Sequence, residues 1–115
     1  MKRAIVCIIF VFALHTAFTS HAKAQYRSFV SGVELFENLQ YSPDTWQYRY
    51  AAGYIFGVVD TANGTWVTLP PKMDRHGLLT TVTQYLSAHP KERPAPAATL
   101  IIKAMRTVAP APQKK

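Results

Sequence analysis

The first 24 residues constrain this chain most, because they read as an address and not as part of a fold. Met1-Lys2-Arg3 is basic. Ala4–Phe18 is almost wholly apolar, interrupted by His15 and Thr16, and Ala22-Lys23-Ala24 ends the segment as small-x-small. A charged start, an apolar middle and a small-residue cleavage site are the layout of a secretory signal peptide. The apolar run covers about 15 residues, short of the ~20 that a membrane-spanning helix needs. Cleavage is expected after Ala24, with Gln25 as the first mature residue; a retained membrane anchor is the competing reading. The part that folds is then 25–115, enough for one small domain and too little for a two-domain enzyme or a full dinucleotide-binding fold.

Removing the leader changes the balance of charge. The whole chain carries 13 Lys and Arg against 6 Asp and Glu, a formal net charge of +7. Lys2, Arg3 and Lys23 are expected to leave with the leader and no acid does, so the expected mature charge is +4, with Lys114 and Lys115 in what is expected to be a flexible C-terminal tail. That spread supplies no basic face, so nucleic acid is not an expected partner. The single cysteine, Cys7, also leaves. The mature domain therefore holds no disulfide, although it is expected in the periplasm, where disulfides form. Its aromatic residues, Trp46 and Trp66 among them, bury large surfaces and help compensate.

The mature sequence is punctuated into helices, and the spacing predicts an all-α fold: a small compact bundle of about four helices between residues 31 and 109. Ser31 and Glu34 form a capping box, followed by Val33, Phe36 and Leu39 on one face. Ser42-Pro43 opens a second helix as cap and first residue. Its stripe of Trp46, Tyr50, Gly53, Tyr54 and Gly57 is expected to face another helix, with the two glycines allowing close backbone approach. Each glycine inside a helix costs about 1 kcal/mol, so a compensating contact is expected. Asn63-Gly64 is a turn, and 61–73 reads as a loop. Asp74 caps a third helix carrying Leu78, Leu79, Val82, Tyr85 and Leu86, which ends at His89-Pro90. Residues 97–108 form the fourth, with Leu100, Ile101, Ala104, Met105 and Val108 inward. A β reading fits only 66–69.

Chemistry is sparse. His76 and His89 are the only histidines after the leader, and the mature chain contains no cysteine and no G-x-S-x-G nucleophile motif. His76 reads as a solvated residue at a helix start, and His89 as one meeting the last carbonyls of a helix. Asp74, His76, His89 and Glu92 lack a metal-ligand spacing. Glu34 and Glu37 read as a solvated edge. No catalytic residue, metal or cofactor is assigned, and the chain is not expected to be an enzyme. Trp66 stands out: a tryptophan in a loop either packs onto the bundle or anchors a partner.

Several motifs resemble the Tai/Rap family of small exported immunity proteins, which neutralise peptidoglycan-cleaving amidases delivered by type VI secretion. Ser31-Gly32-x-Glu34-Leu35 resembles the family's opening helix. Gly53-Tyr54-Ile55-x-Gly57-Val58-x-Asp60 resembles its central motif and is the most specific piece. Leu69-Pro70 resembles the step before its third helix. Tyr85-Leu86-x-x-His89-Pro90-x-x-Arg93 resembles a further stretch, and Ala97-Ala98-x-Leu100 with Ala104-Met105 its last helix. Family members typically carry four cysteines. In this register Leu39, Ala51, Thr68 and Ala111 stand in their places, which makes this a cysteine-less member. Pro94 stands where a histidine is common.

The resemblance implies a non-enzymatic, exported binding protein that acts as a homodimer and obstructs the active-site cleft of an amidase effector. No membrane association is expected after cleavage. The expected contact residues are Asn63, Trp66 and Lys72 in the first long loop, and His89, Lys91 and Arg93 in the connection before the last helix. Gly53, Tyr54, Gly57, Asp60, Pro70 and Pro90 are expected to be structural. The alternative is a small helical periplasmic chaperone or stress protein that binds many clients through a hydrophobic surface.

Overall fold

The computed structural model describes residues 28–109 and Pro112; the expected leader, with its cleavage site, and most of the expected tail lie outside the described residues. Four α-helices follow in order: α1 (Gly32–Leu39), α2 (Trp46–Ala62), α3 (Arg75–Ala88) and α4 (Ala97–Arg106), with a 3-10 turn, Pro90–Glu92, between the last two. Among the described residues there is no strand, only the isolated bridges Ser31–Pro96 and Asn63–Val67. The expected all-α bundle of four helices is what forms.

Local chemistry sets the helix starts. The Ser31 hydroxyl accepts from the Glu34 amide at 3.2 Å, and the Asp74 carboxylate accepts from the Gly77 amide at 2.7 Å. Each satisfies one of the amides that a helix start leaves without an internal partner. Pro96, at the head of α4, offers no such side chain. There the Ala97 amide donates to the Val30 carbonyl, and the Gly32 amide to the Ala95 carbonyl, both at 2.9 Å. These two bonds lash the start of α1 to the start of α4. The approach is so close that a Cβ on Gly32 would overlap Leu100 Cδ1 and lie 2.7 Å from the Arg93 carbonyl oxygen. Only glycine fits this position.

The core runs through all four helices: Leu35 and Leu39 of α1, Ala51, Ile55 and Val59 of α2, Leu78, Val82 and Leu86 of α3, and Leu100, Ile101 and Met105 of α4. α4 packs on both α2 and α3, and α1 packs on α2. Leu39 and Ala51, two positions where the resemblance placed cysteines, are core residues. Thr68, a third, is exposed.

Four local expectations are corrected. α2 begins at Trp46, not Pro43, because Ser42 first closes a turn. Its carbonyl accepts from both the Thr45 amide (2.9 Å) and the Thr45 hydroxyl (2.7 Å), which leaves Thr45 as the cap. Val33 and Val108 are exposed, because α1 turns Leu35 and Leu39 inward and α4 ends at Arg106. The stripe expected to pack inside α2 faces outward. Trp46 is 71% exposed, and nothing lies within 4 Å of a Cβ built on Gly53 or Gly57. The buried face is the opposite one, made of Ala51, Ala52, Ile55, Val59 and Ala62. Small side chains let α2 lie close to its neighbours; Trp46 and Tyr50 are left outside, while Tyr48, Tyr54 and Phe56 pack half-buried at the margin of the core.

Candidate functional site

The outward face of α2 and the loop after it form one surface. The loop begins where Asn63 leaves the helix and Gly64 takes a positive φ of 82°. The amides of Thr65, Trp66 and Val67 all turn back to the Ala62 carbonyl, at 3.1, 2.8 and 3.2 Å. The Gly64 amide donates to the Val67 carbonyl at 2.7 Å, and the Asn63 side-chain oxygen accepts from the Leu69 amide at 3.1 Å. Val67 is fully buried and nails the loop to the core, while Trp66 beside it is 50% exposed. A tight turn, a buried residue and a side-chain tie therefore hold one large ring at the surface.

Trp66 stands at the edge of an open groove of about 360 Å³ between α2 and α4. Gly53, Tyr54, Gly57, Val58 and Thr61 line it from α2, and Ala98 and Ile102 from α4. The Thr61 hydroxyl already donates to the Gly57 carbonyl at 2.8 Å, so the groove is largely apolar. Trp46 and Tyr50 extend the same face beyond the groove. Of the residues expected to be structural, Gly53, Tyr54 and Gly57 line this surface. Asp60 lies on the other flank of α2, in a separate cleft with Leu69, Met73 and Asp74, where the Arg75 guanidinium sits 5.6 Å over the Phe56 ring. Pro70 is half-buried and accepts from the Met73 amide at 2.9 Å. Lys72 is exposed.

His89, Lys91 and Arg93 form a second group, at the C-terminal end of α3. The His89 ring stacks on Tyr85 with centroids 4.1 Å apart. Its Nδ1 lies 2.8 Å from the Tyr85 carbonyl, which can only accept, so that nitrogen carries the proton. Pro90 opens the 3-10 turn. Arg93 donates from Nε to the Leu86 carbonyl at 2.7 Å and lies 3.7 Å over the Phe36 ring. Tyr85 donates its hydroxyl to Glu92, and Lys103 reaches the same carboxylate at 2.9 Å. The lysine bond holds the Glu92 carboxyl below the usual carboxylate range. Partial burial, then the bond to Glu92, push the Tyr85 phenol up. Of the three expected contact residues here, Arg93 is engaged in closing the helix end, His89 caps it, and Lys91 is exposed.

Sequence reasoning placed Asn63, Trp66 and Lys72 together in one loop, and the structure keeps them there. It missed Trp46, Tyr50, Ala98 and Ile102 as parts of the surface. The available signal was the pair of glycines one turn apart, read as an inward contact when it belonged to an outward groove. His76 lines a shallow groove with Leu39, Tyr48 and Thr80 on another side of the molecule. Among the described residues no three His, Cys, Asp or Glu side chains gather where they could hold a metal, and no helix is long and apolar enough to cross a membrane.

A comparison with curated proteins gives no match. A family model described as Rap1a immunity proteins matches residues 15–110, which spans all four helices, the loop and the groove. The chain belongs to the Rap1a immunity protein family.

Proposed function

We propose that this protein is exported to the periplasm and protects the cell by binding a peptidoglycan amidase effector and filling its active-site cleft, and that it does so as a homodimer. Membership of an immunity protein family supports a partner effector. The observation that carries the inhibitory contact is the way the 63–72 loop is built. Val67, Asn63 and the Ala62 carbonyl fix its backbone, and Trp66 projects from it half-exposed. A pre-ordered loop loses little entropy on binding, and a rigid aromatic is the usual anchor of a protein interface. Lys72 stands at the rim of the loop, where a charge steers encounter more than it adds affinity. His89, Lys91 and Arg93 are the supporting contact group, with Lys91 the most available of the three.

The exposed rings of Trp46, Tyr50 and Trp66 also suit the alternative, a chaperone holding many clients through an apolar surface. Capture separates the two. The tagged chain, exposed to periplasmic extract and to candidate amidases and washed with salt, retains one stoichiometric peptidoglycan hydrolase and inhibits it. Many weakly held clients support the chaperone instead. Trp66→Ala lowers the affinity for the hydrolase by more than about tenfold with the fold intact. Unchanged affinity removes Trp66 from the site.

A further inference from the structure

We propose that the outward face of α2 pairs with the same face of a second copy of this chain, antiparallel, about a two-fold axis at the midpoint between Gly53 and Tyr54. The inference rests on the dimeric reading above and gives that dimer a surface and a register. The arguments for both come from the side chains of α2.

With about 100° of turn per residue, Trp46, Tyr50, Gly53, Tyr54, Gly57 and Thr61 fall within an arc of about 100°, nearly opposite the buried face. The arc contains no charged residue. Trp46 is 71% and Tyr50 43% exposed, and the space above both glycines is open. The fold itself therefore gives no reason for either glycine, and each lowers the helix propensity of α2.

Reversing the helix about the stated axis supplies that reason. Trp46 comes opposite the partner's Thr61, Tyr50 opposite the partner's Gly57, and Tyr54 opposite the partner's Gly53. Every large ring meets a small residue, and the match repeats on the other side of the axis. A parallel pairing would instead set Trp46 on Trp46 and glycine on glycine, with rings clashing and notches empty. Charge follows the same pattern. Arg49 and Asp60 are both exposed and lie on the flank of α2 turned away from α4. An antiparallel two-fold axis brings this flank onto itself. Arg49 then stands opposite the partner's Val58, two residues or about 3 Å of helix rise from the partner's Asp60, within reach of a guanidinium. Among the described residues the Arg49 side chain has only a loose 3.9 Å contact with Asp44, whose side chain is 96% exposed. One helix thus carries both the ring and the notch that receives it, and both the cation and the anion. A foreign partner requires no such internal match, whereas an isologous interface requires it.

The pairing also completes the loop surface. The partner's Trp46 lands beside Thr61, next to Trp66, so the chain's only two tryptophans meet across the interface at each end. Each effector-facing loop then borders a residue of the other subunit.

Sedimentation equilibrium of the purified protein, with tryptophan emission read over the same dilution series, tests the surface. The wild type sediments as a dimer, and its emission shifts to the red as dilution separates the copies. Gly57→Glu has room for its side chain and a better helix former than glycine. It sediments as a monomer with a thermal midpoint no lower than that of the diluted wild type. A wild type that is monomeric at every concentration up to its solubility overturns the proposal, as does a Gly57→Glu protein that remains a dimer. Charge reversal tests the register. Arg49→Glu and Asp60→Arg each weaken the dimer by about fivefold, and the two together restore it. A double variant weaker than either single one overturns the antiparallel register. The effector reading stands or falls separately: Lys72→Glu changes capture of the hydrolase and leaves sedimentation unchanged.

Discussion

Two of the motifs that carry the family likeness, Gly53–Asp60 and Tyr85–Arg93, end in opposite situations. In the second, nearly every characteristic side chain is used inside the molecule. Arg93 closes the end of α3 and covers Phe36, His89 caps the same end while stacking on Tyr85, and Tyr85 reaches Glu92. In the first, Ile55 is buried and Tyr54 and Phe56 pack half-buried against the core, but nothing among the described residues meets the two glycines, and the rings of Trp46 and Tyr50 just before them are exposed. Folding accounts for one motif and leaves the two glycines of the other unexplained. A pair of glycines with no internal contact, beside exposed rings and in a family of binding proteins, is best explained by contact with another chain.

The contrast sharpens when the glycines are compared directly. Gly32 sits where α1, α4 and the Arg93 carbonyl converge, with no space for a methyl group. Gly32→Ala is expected to lower the thermal midpoint most, by roughly 10 °C, because overpacking costs about 1–3 kcal/mol and this is a small domain. Arg93→Ala leaves the Leu86 carbonyl unpaired and uncovers Phe36. It should cost about 2 kcal/mol in urea unfolding with the slope unchanged. Gly57→Ala should act in the opposite sense. Measured dilute enough to keep the chain monomeric, it should stabilise by about 1 kcal/mol through helix propensity alone. A Gly57→Ala protein less stable than the wild type would mean that the fold does use this glycine, and the contrast would collapse.

The smallest effect is expected at the Glu92–Lys103 pair, which is half in solvent. The carboxyl is held low, so its contribution is present above its ordinary titration range and is lost as pH falls through its folded value. The ammonium is held high by the same bond, so its contribution is present below its ordinary range and is lost as pH rises through its folded value. Stability from this pair therefore spans the window between an acidic and an alkaline limit. Lys103→Ala removes the largest cause of the Glu92 shift, and an NMR titration should show that carboxyl returning toward its ordinary value.

What was legible in the sequence was local. Ser31 and Asp74 cap helices because their oxygens reach amides three residues on, and Gly64 turns the chain because its positive φ favours glycine. The face that α2 buries was not legible. That helix has apolar residues on two faces, one of Ala, Ile and Val and one with Trp46, Tyr50 and the glycines, and periodicity cannot tell which set is inside. Ring size argued for the wrong one. The closeness of α2 to α1 and α4 decides it, and that closeness is a property of the assembled bundle. The start of α2 was missed for a related reason, since Ser42 spends its carbonyl on a turn before the helix begins. The loop around Trp66 was found through its turn residues. The tie from Asn63 to Leu69, six residues away, which makes it a fixed platform, has no sequence signature.

The account depends most on the claim that the 63–72 loop inhibits an amidase by occupying its cleft. The direct measurement is a titration of a peptidoglycan amidase effector with this protein, following release of the cleaved cell-wall peptide, with Trp66→Ala run alongside. The account predicts that activity falls to zero at a stoichiometric ratio, that substrate and inhibitor compete, and that the variant needs more than about ten times as much protein. Full amidase activity in the presence of excess folded protein, across the candidate effectors, would contradict it.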